Sequence, residues 1–360
     1  MHRLRVLNKY LDGIKSSELK SLGLMLGAVQ TGTKKDLKEG LNEQMIKLDT
    51  LRNLRDSKSG LKVMGIDLGI ANFALTTFHW NKDMERPMLK EMYKVQLAGD
   101  FVDLKEGELT PPLRPEVMAT LGLNLGNWLT QFGSNAYFIE RQRSRSASSS
   151  TILENILKVM ILEYVLYSNL QNKIVDGSLP AHLFPSLPKR MVAFTCSGIP
   201  IDKLTGSHGT PKRGKSKSKS EQNPTSNMLS KKIRIALCRS LIFDQISGKQ
   251  RQFYKFDLDP SFVKTLKDYP GDKSLINFHT ISKGSGLDLD FRQRNKNDDL
   301  CDSLLHGFVW LQWLANYCTL LNFVDKNMDC TATGQENFQE LIRDFAASHD
   351  SFMSKVITII

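Results

Sequence analysis

The sequence predicts an α/β fold, a mixed sheet flanked by helices, with a small helical module at the N-terminus. Three observations carry this expectation. The short apolar run Leu61–Gly69 has the length and the bounding turn residues of a central strand. Two more strand-like runs follow it, and helical and strand patterns then alternate, the order of an antiparallel meander continued by parallel strands. Ahead of residue 55, apolar residues recur at helical spacing.

In the N-terminal module, Ser17–Met25 sets apolar positions 19, 22, 25 and 26 on one helical face, with Ser16 or Ser17 as candidate N-cap. A glycine-containing loop ends at Gly32-Thr33. Thr33 can cap the next helix, in which Leu37 and Leu41 point inward four residues apart. A helix, a short loop and Thr-Lys-Lys-x-Leu opening a second helix resemble the SAP module. That resemblance implies contact with DNA backbone and makes Lys34 and Lys35 candidate DNA-binding residues. An ordinary helical hairpin fits the same spacing. The start, Met1–Tyr10, is basic, with Asp12 its first acid, and reads either as an organelle presequence or as the first helix of a folded domain. Ser57–Gly60 punctuates the chain, so the expected divisions are 1–55, a main domain at 60–325 and a C-terminal helical extension at 326–360.

The main domain should contain five strands. Leu61–Gly69, Ala74–Trp80 and Met92–Leu97 form the meander; Ala136–Glu140 follows the amphipathic helix Glu116–Phe132; Met191–Cys196 follows the long helix Ser150–Gln171. Leu229–Ile246 returns to helical periodicity, Asn297–Leu321 is a strong final helix, and Gln335–Ala347 is an amphipathic piece beyond it.

Lys and Arg total 49 against 38 Asp and Glu, a net charge of +11 that favours a polyanionic partner, nucleic acid first. Between Lys203 and Arg239 stand ten basic residues and one acid, Glu221. Within this stretch lies a low-complexity basic insertion, 203–226, containing Lys212, Arg213 and Lys215; Lys231 and Lys232 follow it. No stretch reaches the ~18–20 uninterrupted apolar residues of a membrane-spanning helix, so no membrane partner is expected. The five cysteines show no CxxC and no regular spacing, which argues against a disulfide framework and against zinc.

The chemistry is expected from carboxylates. Asp67 interrupts an apolar strand on the face it shares with Val63 and Gly65, where a bare charge is costly. Glu140 ends a second strand. Asp298, Asp299 and Asp302 open the last helix, with 298/302 and 299/302 each able to share a face. Each acid has an ordinary reading: a turn hydrogen bond, a strand-end ion pair, a helix cap. Together they form the arrangement that two Mg²⁺ ions require, because hard oxygen ligands suit Mg²⁺, with Mn²⁺ an acceptable substitute. Two such ions ~3.5–4 Å apart can cut a phosphodiester in line.

Gly65-Ile-Asp-Leu-Gly69, Ile139-Glu-Arg-Gln-Arg-Ser-Arg145, Asn297–His306 and Ile156–Glu163 resemble the fungal mitochondrial Holliday junction resolvases, RuvC-type members of the RNase H-like superfamily. The resemblance implies a mixed five-stranded sheet, a mitochondrial setting and cleavage of four-way DNA junctions by paired nicks. Carried over position by position, it makes Asp67, Glu140, Asp299 and Asp302 the metal ligands, with Asp298 competing with Asp299. It also gives Arg141, Gln142, Arg143 and Arg145 a grip on backbone phosphates. Two coordinated cuts call for a two-fold homodimer.

Three other functions share parts of this pattern. An actin-like sugar kinase shares the Gly65–Gly69 run but needs further phosphate and adenosine loops that this sequence lacks. A non-catalytic SAP-type DNA-binding protein would have no need of all the acids. An RNase H acting on RNA–DNA hybrids is the nearest enzymatic alternative.

Overall fold

The computed structural model describes residues 2–71, 73–103, 110–142, 154–197, 226–246, 255–267, 283–284 and 298–357. In chain order these form α1 (His2–Gly13), α2 (Ser16–Leu26), α3 (Lys34–Asp56), β1 (Leu61–Asp67), β2 (Phe73–Trp80), β3 (Met88–Val95), α4 (Pro115–Thr130), β4 (Ala136–Glu140), α5 (Glu154–Val175), β5 (His182–Ser186) and α6 (Pro188–Thr195). There follow α7 (Ser226–Ile246), β6 (Asp257–Leu258), α8 (Pro260–Lys267), β7 (Lys283–Gly284), α9 (Asp298–Lys326) and α10 (Ala332–Ile357). Arg143, Arg145, Lys212, Arg213 and Lys215 lie outside the described residues.

The sheet runs β5-β4-β1-β2-β3-β6, with β7 also on β3. β1, β2 and β3 are antiparallel neighbours, while β4 and β5 run parallel to β1. The meander continued by parallel strands is as expected, but its third strand is Met88–Val95 and not Met92–Leu97, and the two-residue β6 and β7 bring the sheet to seven strands where five were expected. Side-chain alternation divides the sheet into two cores. Met64, Ile66, Leu75, Tyr137 and Ile139 face α4 and α5. Val63, Ala74, Phe78, Ala136 and Phe138 face α9 and the helices around it.

The fifth strand is not where the sequence placed it. Met191–Cys196 is helical, and β5 is His182–Ser186. Pro188 stands in the first turn of α6, where its fixed φ suits a helix and its missing N–H costs nothing. Met191, Phe194 and Thr195 then bury at helical spacing. β5 holds Pro185 because it is the sheet edge, where a missing backbone donor is tolerated.

Two glycines allow close approaches that define the molecule. A Cβ on Gly65 would lie 2.4 Å from the Ser303 carbonyl oxygen and 2.6 Å from the Gly307 nitrogen, so α9 rests directly on β1. Thr76 Oγ1 donates to the Ser303 carbonyl at 3.0 Å and fixes the same contact from β2. Gly27 ends α2 at φ 77°, and a Cβ there would lie 2.3 Å from the Trp313 ring, bringing the N-terminal helices onto α9.

The N-terminal hairpin forms as expected, with Leu19, Leu22, Met25, Leu26, Leu37 and Leu41 buried. Thr33 caps α3: its Oγ1 accepts from Asp36 N–H, and Asp36 accepts from Thr33 N–H at 2.8 Å. The cap of α2 is Lys15, one residue before the expected serines; its N–H donates to Glu18 at 2.7 Å. The basic start is helix α1, with Val6, Leu7, Tyr10 and Leu11 buried. Tyr10 stacks on Phe338 of α10 at 5.0 Å. Residues 1–55 and the C-terminal helix therefore share one hydrophobic core with α9 and one face of the sheet, and packing crosses both expected boundaries. Among the described residues no helix is long and apolar enough to cross a membrane.

Candidate active site

Asp67 ends β1 and Glu140 ends β4. These strands are parallel neighbours, with Ile66 opposite Ile139, so the next residue on each strand presents its carboxyl at one edge of the sheet. The two carboxyl groups repel one another when both are charged. Burial holds the Asp67 carboxyl well above its ordinary range, and the charges of Glu140, Asp302 and Asp299 add to the shift. Burial likewise raises Glu140, and the hydrogen bond from Gln142 opposes the shift.

The third group arrives on α9, whose first turn carries Asp298 and Asp299 with Asp302 next along. The Gly65–Ser303 approach holds this turn against the end of β1. Asp299 and Asp302 contribute to the field at Asp67. Asp298 and Asp299 both add to the shift at Asp302.

Each helix acid meets a base from another element. Lys94, wholly buried in β3, lies 3.0 Å from Asp299 Oδ2. Lys231 of α7 pairs with Asp298. Arg234, one turn further along α7, makes a two-point pair with Asp302: Nε donates to Oδ1 at 2.7 Å and Nη2 to Oδ2 at 2.9 Å. Burial raises Asp302 even so, with Arg234 opposing. Among the described residues no group of three or more His, Cys, Asp or Glu side chains is placed to hold a metal ion. The donor chemistry nonetheless fits Mg²⁺: the acids offer only hard oxygens, and a cation would relieve the repulsion between Asp67 and Glu140.

Beside these acids opens a cleft of about 660 Å³, lined by Glu140, Asp302 and His306 together with the bases Arg141, Lys189, Lys231 and Arg234. Gln142 also lines it, but its side chain is directed to the strand end: Nε2 donates to Glu140 at 3.1 Å and to the Leu68 carbonyl at 3.3 Å. Its backbone N–H donates to Glu163 of α5 at 2.9 Å. Lys232 is exposed on α7. Lys34 and Lys35 are not among the cleft's lining residues; Lys34 Nζ donates to the Asp12 carbonyl at 3.0 Å, and Lys35 lies 3.8 Å from Glu39.

The sequence reading did not single out Lys94, Lys189, Arg234, Ser186 or His306. Lys94 had a legible signal, because it shares its strand face with the core residue Met92, and a buried lysine demands an acid. His306 follows Asp302 by one helical turn. Its Nδ1 lies 2.7 Å from Ser186 Oγ, and Ser186 sits opposite Glu140 in the sheet. Trp310 Nε1 donates to the same hydroxyl at 3.3 Å. The serine proton is thus available to Nδ1, which leaves the imidazole proton on Nε2, an atom with no partner among the described residues. Burial, then Arg234, lowers His306 to about 3, so the ring is neutral.

A sheet ordered β3-β2-β1-β4-β5 with an antiparallel meander and two parallel strands, and acids at the ends of β1, β4 and at the start of the last long helix, defines a protein of RNase H-like fold. A model of the catalytic domain described as "Mitochondrial resolvase Ydc2 / RNA splicing MRS1" matches residues 63–320, and the chain belongs to that family. It is 28% identical over 348 residues to the mitochondrial cruciform cutting endonuclease 1 of Saccharomyces cerevisiae, spanning 92% of this chain and 91% of that one. The protein of the same name from Schizosaccharomyces pombe is 24% identical over 293 residues, 79% of this chain and 91% of the other. The structure of Thermus thermophilus RuvC aligns at 17% identity and TM-score 0.25 over 38% of this chain and 68% of that chain; the fold assignment rests on the sheet order instead.

Proposed function

We propose that this protein is a Mg²⁺-dependent, structure-selective endonuclease that resolves four-way DNA junctions by paired symmetric nicks in mitochondria. The observation that carries the reading is the convergence of Asp67 and Glu140 with Asp299 and Asp302 beside a cleft lined by arginine and lysine. The relatives' names, cruciform cutting endonuclease and mitochondrial, support the substrate and the compartment.

Asp67, Glu140, Asp299 and Asp302 would hold the metal. When bound there, Mg²⁺ supplies activation of a water and neutralisation of the departing oxygen. The remaining work falls to the chain itself. Arg141, Lys189 and Lys231 line the cleft where a phosphodiester would lie, and a guanidinium such as Arg141 suits two-point contact with its oxygens. Gln142, held by Glu163, orients Glu140. His306 braces the end of β5 next to Glu140 through Ser186. The N-terminal helices, with Lys34 and Lys35, would extend the DNA-binding surface, and a homodimer would set two such sites for two coordinated cuts.

Incubating the protein with a mobile four-way junction, a linear duplex and an RNA–DNA hybrid, in Mg²⁺, Mn²⁺ or EDTA, tests the reading. The expected result is paired nicking of the junction in either metal, none in EDTA, and little cutting of the other two. Because the family description also names RNA splicing, a second reading is an RNA-binding protein without cleavage. Binding of structured RNA with every DNA left intact would favour it.

A further inference from the structure

The three helix acids are neutralised from within the protein, and two of the three bases come from a single helix. Lys231 and Arg234 stand on successive positions of one face of α7 and reach Asp298 and Asp302, while buried Lys94 reaches Asp299 from the sheet. The two sources differ in kind. Lys94 has no exposed surface, so its charge is a fixed part of the core. Lys231 and Arg234 line the open cleft, and their side chains are 43% and 12% exposed. Arg234 engages both oxygens of Asp302, an acid assigned to the metal in the function proposed above, so the guanidinium competes with a divalent ion for the same carboxylate.

We infer that Arg234, assisted by Lys231, is an exchangeable counter-cation for this acid cluster. It occupies Asp302 while no metal is bound, and it transfers to a DNA phosphate as the metal enters. The transfer needs only a side-chain swing, because donor and new acceptor share the cleft. A phosphate offers a guanidinium the same two-point contact that Asp302 offers, so little pairing energy is lost in the exchange. The consequence is positive coupling: DNA that draws Arg234 away frees Asp302 for metal, and metal that displaces Arg234 frees it for DNA. By linkage each must raise the affinity for the other by the same factor. Charge balance favours the same direction, since an arriving polyanion adds negative charge to the cleft just as the acids lose their internal partner.

The inference rests on the metal-site reading, and the experiment separates the two. Mn²⁺ is titrated into the full-length, DNA-free protein and free ion is followed by electron paramagnetic resonance, for wild type, Arg234→Gln, Arg234→Lys and Asp67→Asn. Arg234→Gln should bind Mn²⁺ about tenfold more tightly than wild type, with Arg234→Lys, which keeps a one-point contact, in between. Asp67→Asn should bind more weakly. Junction affinity is then measured by fluorescence anisotropy in EDTA and in Ca²⁺, with denaturing gels confirming intact strands. Arg234→Gln should weaken junction binding roughly tenfold in Ca²⁺ and less than about twofold in EDTA, where the wild-type arginine is held by Asp302. Mn²⁺ binding by Arg234→Gln and Arg234→Lys no tighter than wild type would overturn the exchange while leaving the metal site standing. Unchanged Mn²⁺ binding by Asp67→Asn would remove the metal site, and the exchange with it.

Discussion

Lys94 lies wholly buried in β3 with its Nζ 3.0 Å from Oδ2 of Asp299. This pair ties the central meander to the first turn of the last long helix, and it fixes which of the two adjacent aspartates turns toward the sheet. Replacing Lys94 by Met leaves a buried carboxylate without its cation and should cost about 3–5 kcal/mol in urea unfolding. Lys94→Met/Asp299→Asn, which removes both charges, should cost less than the two single changes added together. Additive losses would show that the pair is not coupled.

Asp67→Asn should lower junction cleavage by roughly 100-fold or more while leaving junction affinity in EDTA within about twofold, because the basic lining of the cleft is untouched. Among the helix acids, Asp299→Asn and Asp302→Asn should reduce cleavage more than Asp298→Asn, since Asp299 and Asp302 share the field of Asp67. Single-turnover cleavage of a labelled junction ranks them, and Asp298→Asn as the most damaging change would reverse the assignment.

His306 makes stability depend on pH. Its folded value of about 3 lies below the ordinary 6.5, so between those limits the unfolded chain binds the extra proton. The contribution is complete above pH 6.5 and is lost as pH falls toward 3. Between pH 7 and pH 5 the loss from this one ring should be about 2 kcal/mol. His306→Asn should shrink the pH 7-to-5 difference in unfolding free energy by that amount, and an unchanged difference would contradict the burial of a neutral ring.

Gly65→Ala is a small change with a long reach. The added methyl would meet backbone atoms of Ser303 and Gly307, which cannot yield as a side-chain tip can. The expected cost is about 1–3 kcal/mol, with loss of metal binding as Asp302 moves off the strand end. Mn²⁺ titration beside thermal melting checks this; full metal affinity in a destabilised protein would show that α9 does not set the site geometry.

Removal of residues 1–55 tests how far the N-terminal helices are independent. Gly27 packs on Trp313, Asn316 donates to the Met25 carbonyl at 2.8 Å, and Tyr10 stacks on Phe338. The truncated chain would expose that apolar face of α9. It should aggregate or lose its near-ultraviolet circular dichroism, and a monodisperse, cooperatively unfolding 56–360 fragment would restore the separate-module view.

Much of this protein is determined locally. The meander followed by alternating elements, the Thr33 cap and the inward leucines of α2 and α3 follow from residue type and spacing, which act over a few residues at a time. Asp67, Glu140, Asp298, Asp299 and Asp302 stand out as candidates for the same reason: a charge in an apolar strand, or crowded on one helix turn, breaks a short-range rule. What tertiary structure alone decided is who meets whom. The Arg234–Asp302 pair joins residues 68 positions apart. Its existence depends on how α7 lies across α9, which no periodicity encodes. Lys94 is half a case, since its inward position was readable and its partner was not. The exchange of β5 for the run that became α6 has a similar cause: Pro185 is acceptable only at an edge, and edge status is a property of the assembled sheet. The merging of residues 1–55 with the sheet's core rests on Gly27 and Trp313 coming within touching distance across the whole chain.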